Sequence, residues 1–363
     1  MRVVSPFLKR VVYPSLSRAG VLQRQSSDRK LSVITYHGVA PAGYQRLDSE
    51  LDGSLVSVPA FRRQVQFFNA NYNVIHPAQF LAWRDGHESL PPNALLLTCD
   101  DGLLNVLTDM LPVLQEEGLS CLFFATADSL DHPDRQMLWY EQLYLMMLLS
   151  PDRPEAGGLN SLFASRHDGN ASRRSLWWDL VLSWSRFPSD RRAEFLESIR
   201  DRLGLLDNWK QDFFYDPSRE RRFGLLNRSD LSKLAEAGME IGSHTLSHPV
   251  LSQMTADAAA HELTESRRRL ESALRKPVWS LAYPFGDPKS VTAREIASAQ
   301  TAGYRCAFMS CETSPLDSPL AMGRLHMTSD TTVAEIQAHL SGFYAAVRRL
   351  ARVEPTTAMV EGI

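Results

Sequence analysis

The chain has 363 residues and a net charge of −3; 44% are hydrophobic and 22% charged. That balance suits an ordinary globular protein of one large α/β domain or two smaller ones. It offers no broad basic footprint, so no nucleic-acid partner is expected.

The four cysteines, Cys99, Cys121, Cys306 and Cys311, form no CxxC pair and are too few for a disulfide scaffold. They are expected to be buried free thiols. No run approaches the roughly 20 apolar residues that span a bilayer, so no transmembrane segment is expected.

Residues 1–30 read as an N-terminal arm. Its first part is basic and amphipathic, with Phe7, Leu8, Val11, Val12, Tyr13 and Leu16. It lacks the continuous apolar run of a signal peptide, so a cytoplasmic location is expected. A docking helix is the plainer interpretation; a weak membrane-surface contact is the sharper one.

Residues 31–130 alternate strand and helix. The run 31–36 predicts a buried strand. Phe61, Val65 and Phe68 are spaced as on a helix over 59–70, followed by a short strand at Val74-Ile75 and a helix over 77–83. The run 94–98 predicts a strand leading into Cys99-Asp100-Asp101-Gly102. A helix over 103–117 stops at Gly118, and 119–125 predicts a further strand. Such alternation argues for a parallel sheet with crossover helices.

Residues 131–225 read as a mostly helical insertion, with helices over 139–149, 176–184 and 191–203 and joints at Gly157, Gly158 and Gly169. Five of the seven tryptophans fall here: Trp139, Trp177, Trp178, Trp184 and Trp209. Core packing is their plainer role, and sugar platforms the alternative. The α/β rhythm returns over 226–350. Ser229-Asp230 would cap a helix running to Gly238. Strands follow at 239–243, 279–283 and 301–309, with helices over 255–275 and 333–350. Residues 351–363 read as a tail.

Three motifs sit at predicted carboxyl ends of strands, where parallel α/β barrels build their sites. In Asp100-Asp101, two adjacent carboxylates after an apolar strand are costly unless something positive lies near; a turn or helix cap is the plain alternative. In His244-Thr245-Leu246-Ser247-His248, histidines four apart would share one face of a helical turn, which suits one metal. Ala282-Tyr283-Pro284-Phe285-Gly286 reads as a sharp loop. Together, one carboxylate and two histidines make a facial triad with open positions. The second carboxylate is left free to act as a base. A metal there lowers the pKa of water from about 15.7 towards about 7.

In these motifs the chain resembles the polysaccharide deacetylases, the NodB-homology group of carbohydrate esterase family 4. Thr98-Cys99-Asp100-Asp101-Gly102 stands where that family usually has Thr-Phe-Asp-Asp-Gly. The histidine motif and its flanks, Leu234 to Ser243 and Pro249 to Ser252, are similar too, as is Ile34-Thr35-Tyr36-His37-Gly38-Val39. The resemblance covers about 31–130 and 226–330.

It implies a distorted (β/α)7 barrel carrying the insertion. It also implies a hydrolase that removes N-acetyl, or O-acetyl, groups from an acetylated polysaccharide or oligosaccharide in bacterial cell-surface or exopolysaccharide metabolism. Asp101, His244 and His248 would hold a divalent metal, commonly Zn2+. Asp100 would be the base that takes a proton from the attacking water. Tyr283, Pro284, Phe285 and Gly286 would form the substrate and oxyanion loop, with a backbone N–H as donor.

The family's arginine in the third motif is missing, and Arg324 is expected to orient Asp100 instead. The Asp-x-x-Asp-Trp segment is not recognisable around Cys311-Glu312-Thr313. His326 is the candidate general acid, with a structural histidine as the alternative; His37 would line the site or merely cap its strand. Cys99 is expected to be packing. A non-catalytic carbohydrate-binding relative and a metal hydrolase of a small non-sugar amide are the alternative functions.

Overall fold

Short runs of β-branched, aliphatic and aromatic residues build the strands. They are β1 (Ser32–Tyr36), β2 (Val39–Ala40), β3 (Val56–Ser57), β4 (Asn73–Val74), β5 (Ala94–Cys99), β6 (Leu122–Ala125), β7 (Glu240–Ser243), β8 (Ser280–Ala282), β9 (Cys306–Phe308) and β10 (Leu325–His326). The structure is a computed structural model that describes residues 7–22, 31–150, 173–312 and 318–350. The expected joints at Gly157, Gly158 and Gly169, the tail 351–363, Thr313 and parts of the arm (1–6 and 23–30) lie outside the described residues.

The main sheet is parallel throughout and runs β10-β1-β5-β6-β7-β8-β9, with β4 as a side partner of β5. β2 and β3 pair separately. One run of chain bridges the two ends of the sheet. Met322 exchanges backbone hydrogen bonds with the β9 edge at Ala307 and Met309. Leu325 and His326 then lie beside Ile34 and Thr35 of β1. Arg324 falls at this seam. The architecture is the expected distorted (β/α)7 barrel.

Side chains alternate across the strands, as the pleat requires. Val33, Leu96, Leu122, Phe124, Ala282 and Phe308 form one buried cluster with Phe80 and Trp279. Ile34, Leu95, Leu97, Phe123, Ile241 and Leu281 face the helices and form a larger core with Phe61, Val65 and Phe68. Each of these phenylalanines is fully buried, which stabilises the fold by about 1.5–3 kcal/mol apiece. The four cysteines are free and buried, and Cys99 belongs to the outer core.

Several boundaries differ from expectation for physical reasons. The helix over 103–117 is a π-helical turn, Val106–Met110, followed by an α-helix, Leu111–Glu116. Pro112 lacks the N–H that a continuous α-ladder needs. The last helix divides into Val333–Leu340 and Phe343–Leu350, because Gly342 takes φ +80°. The cap of Arg228–Glu236 is Asn227, with Asp230 as its reciprocal partner. Only Cys306–Phe308 of 301–309 is strand, since the helix Ala293–Thr301 takes its start.

The arm is helical over Leu8–Arg18. Tyr13 and Leu22 pack on Ala338, while Phe7 and Val11 are exposed. No helix among the described residues is long and apolar enough to cross a membrane.

Between Gln136 and Leu225 the chain makes its helical excursion. The two ends meet, with the Leu225 N–H donating to the Gln136 carbonyl at 2.8 Å. Trp139–Leu149, Arg173–Trp184, Ser189–Leu203, Trp209–Phe214 and Pro217–Phe223 are helices. They share a second core around Leu143, Trp177, Val181, Phe213 and Phe223. A buried charge cluster ties this layer to the barrel: Arg222 lies 2.8 Å from both Asp52 and Glu141.

Candidate active site

β1, β5, β7 and β8 all end at one place, and the turns that follow carry the polar side chains. Asp100 and Asp101 follow β5, His244 follows β7, and His37 follows β1. The His244–His248 segment is not the helical turn that its spacing suggested. Thr245 and His248 have φ of +65° and +57°, so the chain loops instead. Asp101, Thr245, His248 and Phe285 are four of the six non-glycine residues with positive φ among the described residues. Such strain costs of order 1–3 kcal/mol each and gathers at functional sites.

The loop brings both imidazoles to one carboxylate oxygen. His244 Nε2 and His248 Nε2 are each 3.3 Å from Asp101 Oδ1. The three donor atoms lie within 4.8 Å of one another, all buried. His244 Nδ1 is 2.8 Å from the Ala282 carbonyl. A carbonyl only accepts, so the proton sits on Nδ1 and leaves the Nε2 lone pair free, as a ligating histidine requires.

Burial pulls the His248 pKa down to about 4, outweighing Asp101, so its ring is neutral at pH 7. Burial opposes ionisation of Asp101, yet the two imidazoles beside it hold its carboxyl well below the usual range. Two imidazoles and one carboxylate gathered in this way fit a divalent metal ion.

Asp100 is fixed independently. Arg324 reaches it with both guanidinium nitrogens, at 2.7 Å to Oδ1 and 2.5 Å to Oδ2. Arg324 in turn donates to the Thr98 hydroxyl (3.1 Å) and the Met309 carbonyl (2.9 Å). Its guanidinium lies over the Phe124 and Phe308 rings. Burial raises the Asp100 carboxyl, but Arg324, with His244 and His37, holds it below its ordinary value. It is therefore an ionised carboxylate.

His37 Nε2 is 3.9 Å from Asp100 Oδ2, and His37 Nδ1 is 3.1 Å from His326 Nε2. The two imidazoles extend a polar line away from Asp100, with His37 the nearer.

The third-motif loop is only partly brought to the site. The Tyr283 side chain is core: its hydroxyl donates to the Leu320 carbonyl at 2.9 Å and its N–H to Phe308. Pro284 has no N–H, and the Gly286 N–H turns back to Pro284. The Phe285 N–H alone of this loop has no partner among the described residues. Phe285 stacks edge-on to His248, with centroids 5.0 Å apart. Gly286 at φ +52° lies so close to Ser310 that a Cβ would come within 2.5 Å of its backbone nitrogen.

The supporting residues were not singled out from sequence. Glu262 accepts from the Leu246 and Ser247 N–H groups at 3.0 and 2.9 Å and from the Ser247 hydroxyl. Arg192, from the insertion, donates to the Ser247 carbonyl and hydroxyl. Trp139 donates from Nε1 to the His248 carbonyl at 3.0 Å. Glu262 carried a usable signal: it sits on the same helical face as Ala259, Leu263 and Ser266, all buried, where a carboxylate needs a reason. Arg192 carried the same signal beside Phe195, Leu196 and Ile199.

The parallel barrel thus gathers carboxylate and imidazole groups at its carboxyl face. The fold is shared with PplD, a Streptococcus pyogenes deacetylase (14% identity, TM-score 0.53, 86% of this chain and 99% of that one). It is shared with a de-N-acetylase from Aggregatibacter actinomycetemcomitans (14%, 0.54, 85% and 99%). IcaB from Ammonifex degensii has it too (16%, 0.52, 88% and 100%).

At these identities the likeness is one of fold. No curated protein matches the sequence. Residues 207–307, which include His244, His248 and Phe285, match the polysaccharide deacetylase family model. The match covers 101 of the 363 residues, and over them the chain is similar to the polysaccharide deacetylases.

Proposed function

We propose that the protein is a zinc-dependent deacetylase that removes N-acetyl groups from a bacterial cell-surface glycan or exopolysaccharide. The observation that carries this reading is the convergence of Asp101, His244 and His248 beside an ionised, arginine-clamped Asp100. When bound by Asp101, His244 and His248, a zinc ion supplies Lewis acidity, giving a water nucleophile at neutral pH and a polarised carbonyl.

The chain's own residues do the rest. Asp100 accepts the proton of the attacking water, and Arg324 keeps both of its oxygens in place. The water oxygen bonds to the acyl carbon, and the carbonyl electron pair moves onto the acyl oxygen. The Phe285 N–H is the backbone donor available to that oxygen. The C–N bond then breaks, and a proton from the His37–His326 pair, with His326 as the acid, converts the leaving nitrogen to an amine. The products are acetate and a free amino sugar. Burial of the site excludes water other than the reactant.

Elemental analysis and acetate release from an N-acetylglucosamine oligomer, on wild type and Asp100→Asn, test this. The expected result is one metal per chain in both proteins and acetate from wild type only. A protein that takes up no zinc would overturn the metal site. Zinc without acetate from any glycan would overturn the substrate class.

A further inference from the structure

Tyr140 opens the insertion helix Trp139–Leu149 and belongs to none of the three motifs. Its ring packs against His248 (centroids 4.9 Å) and Phe285 (5.5 Å). Those are a metal-donor residue and the residue with the unclaimed N–H. The residue is 2% exposed. The chain on either side of it is anchored. Trp139 Nε1 donates to the His248 carbonyl. Trp177 Nε1 donates to the Tyr140 carbonyl at 2.8 Å. Glu141 is paired with Arg222.

The Tyr140 hydroxyl has no hydrogen-bond partner among the described residues. The hydroxyl is not one of the fully enclosed polar atoms of the described residues, so a group entering the site can reach it and complete it. A phenol keeps its proton at neutral pH and can donate it in a hydrogen bond. Through His248 the ring adjoins the Asp101–His244–His248 cluster.

We infer that the Tyr140 hydroxyl donates a hydrogen bond to the acyl oxygen of the bound substrate, opposite the Phe285 N–H. The insertion thus supplies part of the reacting centre rather than only supporting it. The proton stays on Tyr140. As the water oxygen bonds to the acyl carbon, the carbonyl pair collects on the acyl oxygen, and the phenol stabilises that charge. This inference rests on the deacetylase reading above.

Tyr140→Phe tests it, because it keeps the ring contacts with His248 and Phe285 and deletes only the unpaired hydroxyl. The measurements are steady-state acetate release from the N-acetylglucosamine oligomer, zinc per chain, and Tm. Losing one donor to the developing charge predicts a kcat about 100-fold lower. KM should stay within twofold, with zinc content and Tm unchanged. A kcat within twofold of wild type overturns the inference. So does an effect confined to KM, or a loss of zinc, either of which would assign Tyr140 to ground-state binding or to holding His248. A zinc-loaded wild type that releases no acetate overturns the deacetylase reading and this inference with it; an active wild type beside an unimpaired Tyr140→Phe overturns this inference alone.

Discussion

Replacing Arg324 with alanine removes the guanidinium that grips Asp100. Both partners are almost fully buried, so the variant leaves an isolated carboxylate in a site where burial favours the protonated form. Breaking a buried pair in this way costs about 3–5 kcal/mol. At about 2.1 cal/mol/K per residue of unfolding entropy, a chain of this size loses about 4–7 °C in Tm.

The pH consequence has a definite sign. The Asp100 carboxyl is held below its ordinary value in the fold, so its contribution to stability is present above the unfolded pKa and lost as pH falls through the folded one. Without Arg324 the carboxyl rises, and Asp100, the proposed base, is protonated at higher pH. The acid limb of kcat/KM for acetate release therefore moves upward, with a lower plateau. Arg324→Lys keeps a charge but not the fork, and is expected to lie between. A fully active Arg324→Ala with an unshifted acid limb would refute the assignment of Arg324 as the residue that positions the base.

Three further outcomes follow from the same contacts. Glu262→Gln weakens the clamp on the His244–His248 loop. Zinc affinity should fall about 10-fold in a chelator competition, as for other groups that hold metal ligands in place; an unchanged affinity would show that the loop keeps its shape without Glu262. Adding zinc at about 100 times its Kd should stabilise wild type by about 2.7 kcal/mol, roughly 4 °C, and His248→Ala should abolish that shift in a thermal melt. Burial pushes the Glu141 carboxyl up to about 7 despite Arg222. An acid raised in the fold stabilises fully below its unfolded pKa and loses that contribution as pH rises towards about 7. Glu141→Gln should therefore remove a fall in urea stability between about pH 4.5 and 7, and a parallel fall in both proteins would count against it.

Much of the fold was legible because it depends on local pattern. The runs that became β1, β5, β6 and β7 are nearly continuous apolar segments, as parallel strands covered on both faces must be. The Asp100-Asp101 and His244-to-His248 motifs were legible because each follows such a run. The misjudged details come from backbone terms that composition does not show. Thr245 and His248 adopt positive φ, so a helical spacing became a loop. Tyr283 was grouped with Phe285, but alternation after β8 turns its ring into the core, where Leu320 takes its hydroxyl.

The sequence by itself determined the groups available to this protein: one carboxylate and two imidazoles that could hold a metal, a second carboxylate beside them, and strand ends to carry all four. It could not determine which groups hold those four in position. Arg324 and Asp100 are separated by 224 residues, and Trp139 and His248 by 109. Glu262 and Arg192 meet at Ser247 from helices on either side of it. Periodicity reports only which neighbours share a face over a few turns. Contacts that close a barrel seam, or fold an insertion back onto a loop, arise from packing between distant elements, and only the tertiary structure decided them.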